Sequence, residues 1–117
     1  MSRDSTCIFC KIIEKKIPSK IVYEDDYVLA FEDVNPQAPV HTLIVPTKHI
    51  HDIHSITEKD KDLIGHLFFI ANKIAEDKGI VDRGYRLVIN NGVGAGQTVF
   101  HLHIHILSGR RFSWPPG

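Results

Sequence analysis

The alternation His101-Leu102-His103-Ile104-His105-Ile106 constrains this chain more than any other feature. A period of two is the period of a β-strand, whose successive side chains point to opposite faces. The segment Val99 to Leu107 is therefore expected to be a strand with three imidazoles on one side. Leu102, Ile104 and Ile106 then fall on the other. Neighbouring imidazoles would stand about 6.7 Å apart along the row. Strand stability asks for no such row, and eight histidines in 117 residues is a large number. A solvated strand face or a metal-binding histidine tract would account for the row alone.

The preceding segment, Asn90-Asn91-Gly92-Val93-Gly94-Ala95-Gly96-Gln97-Thr98, favours phosphate chemistry. Three glycines within five residues allow backbone N–H groups to turn inward around an anion, and Gln97 and Thr98 add neutral donors. A glycine-rich loop by itself is common. A glycine-rich loop leading directly into same-face histidines supplies both a phosphate cradle and a nucleophile or acid–base group.

The rest of the chain reads as one domain, residues 1–117. Cys7 to Lys16 carries apolar residues at helical spacing, ended by Pro18. Strands are expected at 21–24, 27–32, 41–45 and 85–89. Thr57-Glu58-Lys59-Asp60 resembles a capping box with Asp in the last position. It opens a helix over 57–78 with apolar residues at 63, 64, 67, 70, 71, 74 and 75, closed by Gly79. The expected fold is α+β, a five-stranded antiparallel sheet with one long and one short helix.

Composition sets outer bounds. The chain is 43% apolar and 24% charged, with fourteen basic residues balancing fourteen acidic ones. Nucleic-acid polymers and anionic membranes, which reward excess positive charge, are not expected partners. No run is apolar enough for a membrane span, and the polar first residues show no signal-peptide core, so a cytoplasmic location is expected. Cys7 and Cys10 lie too close together to staple a fold. Inert thiols, a redox dithiol and a metal-binding pair all remain open for them.

Gly96-Gln97-Thr98-Val99-Phe100-His101-Leu102-His103-Ile104-His105-Ile106-Leu107 resembles the histidine-triad signature, in which three histidines alternate with apolar residues. Phe31-Glu32-Asp33-Val34, Pro36 to His41, Gly84-Tyr85-Arg86 and Trp114-Pro115-Pro116-Gly117 resemble the histidine triad nucleotide-binding (Hint) branch of that superfamily. The resemblance implies a purine nucleoside phosphoramidase or nucleotide hydrolase. His103 would be the nucleophile that forms a nucleotidyl-histidine intermediate, and His105 would contact the phosphate. Gln97, Thr98, Asn90 and Gly96 would hold phosphate oxygens, and Asp33 the ribose hydroxyls. Ile8, Phe9, Ile12, Phe31 and Val34 would wall the base, with Trp114 of the tail reaching toward a partner's site. His41 would orient the triad.

Two departures from the Hint pattern stand out. Thr98 replaces a frequent serine but keeps a hydroxyl able to relay a proton to the leaving group. Cys7-Ile8-Phe9-Cys10 is absent from animal-type Hint proteins, whereas zinc-carrying relatives in the wider family pair such cysteines with two histidines. The matching positions here are His49 and His101, which implies a structural Zn2+ held by Cys7, Cys10, His49 and His101. Such a closed site leaves zinc no open position for catalytic water. A homodimer is expected through the 57–78 helix, whose Phe68 and Phe69 widen its apolar arc beyond what one sheet can bury. The alternative function is a nucleotide-binding sensor or scaffold with little catalysis. His51, His54 and His66 receive no role, the first two being read as loop residues.

Overall fold

A computed structural model describes residues 3–117. Its elements are α1 (Ile8–Ile13), β1 (Ile21–Glu24), β2 (Val28–Glu32), β3 (Val40–Pro46), α2 (Lys61–Asp77), β4 (Arg86–Val88) and β5 (Ile104–Ser108). The strands form one sheet in the order β1-β2-β3-β5-β4, and every neighbouring pair is antiparallel. This is the expected α+β architecture. Among the described residues no helix is long and apolar enough to cross a membrane.

Alternation divides the interior in two. Val28, Ala30, Ile44, Leu102, Ile104 and Ile106 pack with Leu67, Ile70, Ala71, Ile74 and Ala75 of α2. The intervening residues Leu29, Phe31, Leu43 and Val45 pack instead with Cys7, Phe9, Cys10 and Ile12 of α1. β2 and β3 thus read as continuous apolar runs because both of their faces are covered.

The long helix forms as its ends dictate. The Thr57 N–H donates to Asp60 Oδ2 at 2.8 Å and the Asp60 N–H to the Thr57 carbonyl at 2.9 Å, so aspartate serves where glutamate is usual. Glu58–Asp60 is a 3₁₀ turn leading into α2. At the other end Gly79 adopts φ 67°, and the Ile80 N–H reaches back to the Ala75 carbonyl at 3.1 Å, a Schellman closure.

Three boundaries differ from expectation by three residues or more: α2 begins at Lys61, after its 3₁₀ turn, and the end of α1 and the start of β5 also move. α1 ends at Ile13, before Pro18: Lys15 turns left-handed at φ 62°, and the Lys16 N–H closes on the Lys11 carbonyl at 2.9 Å. β5 begins only at Ile104, so His101 and His103 lie outside the ladder. Its partner β3 ends at Pro46, which has no N–H to donate. The chain at Leu102 diverges, and its N–H donates to the Ile50 carbonyl at 2.7 Å. The side-chain alternation survives this divergence. Leu102 still enters the α2 core, and the His101 and His103 rings lie 5.9 and 5.2 Å from Phe9 of α1.

Candidate functional site

Three histidines are held in defined tautomers by backbone groups that can only donate or only accept, and one of the three fixes the tautomer of a fourth. The His103 Nδ1 lies 2.7 Å from the His101 carbonyl, so Nδ1 carries the proton and Nε2 is the basic nitrogen. His101 is reversed. Its Nε2 donates to the Pro46 carbonyl at 2.8 Å, leaving Nδ1 with a lone pair. The Gln37 N–H donates to His41 Nδ1 at 3.0 Å, so His41 is protonated at Nε2. That Nε2–H donates to His105 Nδ1 at 2.9 Å, which leaves His105 with a donor at Nε2. A lone pair on His103 and an N–H on His105 therefore sit on adjacent rings whose centroids are 4.9 Å apart.

Burial keeps these rings neutral. It lowers the pKa of His103 against the opposing effects of the His101 carbonyl and Asp33. Burial, with His103 and His41 nearby, pushes His105 down to about 4. His41 is lowered for the same first reason, partly offset by Asp33 and Glu32.

A cleft of about 430 Å³ opens over these residues. His103, His105, His41 and Thr98 line it, as do Asp33, Val34, Ile8, Phe9, Ile12 and Phe31. Residues assigned to one ligand from five separate segments thus meet around a single space. Phe9, Ile12 and Phe31 are buried, while Ile8 and Val34 are exposed at 46% and 96%. The Asp33 carboxylate is oriented by the Asn35 N–H on Oδ1 at 2.8 Å, with Oδ2 3.4 Å from His41 Nε2.

Four assigned residues do not line this cleft: Asn90, Gly96, Gln97 and Trp114. The glycine loop closes on itself. The Ala95 and Gln97 N–H groups donate to the Gly92 carbonyl and that of Gly96 to the Val93 carbonyl, so these amides form a 3₁₀ turn in place of the expected anion cradle. Gln97 is 3% exposed. Its Nε2 donates to the His51 and Val99 carbonyls at 3.1 Å each, and its Oε1 accepts the Gly92 N–H. In this conformation Gln97 braces the loop and has no amide hydrogen left for phosphate. Trp114 is 84% exposed on the tail.

Several contributors escaped the sequence reading. Leu43 lines the cleft and shares a face with His41 at a spacing of two, a signal that strand alternation offered. Ile17, Pro18 and Ser19 also line it, in a connection without periodic signal. His51, read as a plain loop residue, stacks on Phe100 with ring centroids 4.8 Å apart. His66 bonds Asp25 Oδ2 at 2.7 Å, joining α2 to the β1–β2 turn.

Behind the cleft, Cys7, Cys10, His49 and His101 converge, with their donor atoms all within 4.8 Å of one another. His101 Nδ1 lies 3.3 Å from Cys7 Sγ, 3.5 Å from Cys10 Sγ and 3.1 Å from His49 Nδ1, and Cys10 Sγ is 3.4 Å from His49 Nδ1. Tetrahedral zinc bonds of about 2.0–2.3 Å imply edges of roughly 3.3–3.8 Å, close to this spacing. The Cys10 N–H donates to Cys7 Sγ at 3.3 Å and the Asp4 N–H to Cys10 Sγ at 3.5 Å, contacts that favour thiolate. Without a cation, burial pushes the Cys10 thiol up to about 11. The donor set fits a closed Cys2His2 zinc site.

The model of the HIT domain matches residues 14–112. The chain belongs to the HIT family. A HIT-like protein of Synechocystis sp. is 60% identical over 110 residues, covering 94% of this chain and 96% of its own. The crystal structure of a HIT family hydrolase from Legionella pneumophila superposes with a TM-score of 0.93 at 47% identity, over 95% of this chain and 99% of that one. A histidine triad nucleotide-binding protein from Candida albicans gives a TM-score of 0.80 at 31% identity, over 95% and 84%. The structure divides the three alternating histidines, His101, His103 and His105. His103 and His105 face the cleft, while His101 turns its lone pair toward the cysteines.

Proposed function

We propose that this HIT protein is a nucleotide-binding hydrolase that cleaves the P–N bond of purine nucleoside phosphoramidates through a nucleotidyl-His103 intermediate. The observation that carries the reading is the pair of complementary tautomers in the cleft: a lone pair on His103 Nε2 beside a donor on His105 Nε2. A neutral imidazole is nucleophilic near pH 7 and forms a labile phosphoramidate. In this reading His103 Nε2 attacks the α-phosphorus and the P–N bond breaks. The departing amine takes a proton from water, relayed by the Thr98 hydroxyl, and the later hydrolysis returns one to solvent. Water then cleaves the P–Nε2 bond and releases the nucleotide and free His103. The His105 N–H stabilises charge on the phosphoryl oxygens. Asp33 accepts bonds from the ribose hydroxyls, and the base lies against Ile8, Phe9, Ile12, Phe31 and Val34. Similarity to the Legionella hydrolase and to the Candida nucleotide-binding protein supports the hydrolase and nucleotide-binding parts.

Zn2+ is the resident ion proposed for Cys7, Cys10, His49 and His101. Its role is structural: it ties α1 to the segment after β3 and to the chain entering β5. A homodimer is proposed through α2, where Phe68 and Phe69 stand 42% and 65% exposed. Sedimentation showing only a 13.3 kDa species at micromolar concentration would overturn the dimer. Metal analysis giving well under one zinc per chain, after purification without chelator, would overturn the metal. The function is tested by incubating the protein with adenosine 5′-phosphoramidate. Release of AMP and ammonia is expected, and AMP binding without turnover would identify a sensor instead.

A further inference from the structure

A second cleft of about 420 Å³ adjoins the first, and Ile8, Thr98 and Val99 form walls of both. If Asp33 holds the ribose and His103 the phosphorus, Thr98 lies where the nucleotide ends and the departing group begins. Space for that group continues past Thr98 into the second cleft. This placement rests on the P–N hydrolase reading above.

The chemistry of the second cleft is one-sided. Phe100 and the exposed His51 ring, tilted 23° from it, offer an aromatic platform on one wall. Asp4 supplies a carboxylate on another, with Oδ1 fixed by the Thr6 N–H at 2.8 Å and the Thr6 hydroxyl at 2.6 Å, and with Oδ2 3.9 Å from His49 Nε2, a longer contact that leaves this oxygen facing the cleft. Cys7 and His49 also contribute, but two thiolates cancel the charge of a divalent ion bound there. Among the described residues lining this cleft none is Lys or Arg. A carboxylate beside an aromatic face recognises a cation with hydrophobic bulk.

We infer that the cleft formed by Asp4, His51, Thr98 and Phe100 is the leaving-group subsite and selects phosphoramidates whose amine carries a second, cationic centre. An amine bearing a guanidinium or quaternary ammonium group fits it. Neutral alkylamines gain nothing there, and amines bearing a carboxylate meet Asp4 unfavourably. The reaction is unchanged: the P–N bond breaks, the amine leaves with one proton, and the distal cation takes no part.

The test uses zinc-loaded full-length protein and three AMP conjugates, of agmatine, n-butylamine and β-alanine, beside plain adenosine 5′-phosphoramidate. The expected kcat/KM for the agmatine conjugate exceeds that for butylamine by about fivefold or more, with β-alanine the poorest. Asp4→Asn retains an oxygen for Thr6 and removes the charge, and zinc content measured on the variant shows that the nearby His49 still holds its ion. In that variant the agmatine-to-butylamine ratio should fall toward one, and Phe100→Leu should reduce it as well. Equal rates for the three conjugates, or a ratio untouched by Asp4→Asn, would overturn the subsite while leaving the hydrolase reading intact. Turnover of none of the four compounds would overturn the hydrolase reading and the subsite with it.

Discussion

The two faces of the sheet are made from alternate residues of the same strands, yet they do opposite work. The α2 face is dry and aliphatic: Ile44, Leu102, Ile104 and Ile106 meet Leu67, Ile70 and Ile74, all nearly inaccessible to water. The α1 face takes the intervening residues and holds histidines, thiols and an open cleft. A short α1 of six residues leaves much of that face uncovered, whereas the seventeen residues of α2 span the other. One strand can anchor a site rigidly because its other face is committed to a close-packed core.

Removing one residue from each face should separate activity from stability. His103→Ala deletes the group proposed to form the covalent intermediate while leaving Asp33, Thr98 and the apolar walls in place. Turnover should fall by several orders of magnitude, with AMP binding kept within about tenfold, or roughly 1.4 kcal/mol. Rapid-quench kinetics and calorimetry check the two halves, and near wild-type turnover in this variant would end the mechanism. Ile74→Ala on the other face should do the reverse. It should cost about 2–5 kcal/mol in urea unfolding through the cavity it leaves, with kcat retained at a temperature where the protein stays folded.

Acid should separate the faces more gently. His103, His41 and His105 are lowered by burial, His105 to about 4, against an ordinary value of 6.5. Above pH 6.5 these rings are neutral in both states, so stability is level there. As pH falls below 6.5, the unfolded chain takes up protons that the folded one refuses, and stability declines until the folded pKa is passed. Each ring contributes at most ~1.4 kcal/mol per pH unit across its window. Urea midpoints measured from pH 8 to 5 should drop below 6.5, and a flat profile would contradict the buried neutral rings. The Ile74→Ala variant should show the same decline from a lower starting point, because the aliphatic face does not titrate.

The smallest effect expected concerns the end of α2. Asp60→Ala removes the acceptor of the Thr57 N–H and of Lys48 Nζ, both at 2.8 Å. Loss of about 0.5–2 kcal/mol should follow, with catalysis unaffected because the cap lies on the aliphatic side. A fall in kcat as large as the fall in stability would show the two faces to be coupled more tightly than their packing suggests.

Much of the fold was legible because it depends on local periodicity. The spacing of Leu67, Ile70, Ala71, Ile74 and Ala75 identifies α2, Gly79 its end, and the alternation from His101 to Ile106 the two faces of the last strand. The histidine row and the Cys-x-x-Cys pair were visible as residue types at short spacing. What periodicity could not supply was the length of β5, since that ladder stops where Pro46 on another strand has no N–H to offer. Nor could it supply the tautomers. The Gln37 amide sets His41, His41 sets His105 across 64 residues, and the His101 carbonyl sets His103. Gln97, legible as a donor beside a glycine loop, is spent inside that loop by partners at His51 and Val99. The cleft and the subsite beside it exist only where distant segments meet, so their shape belongs to tertiary packing. The reason is physical: side-chain direction follows from neighbours along the chain, whereas hydrogen-bond partners and enclosed space follow from neighbours across it.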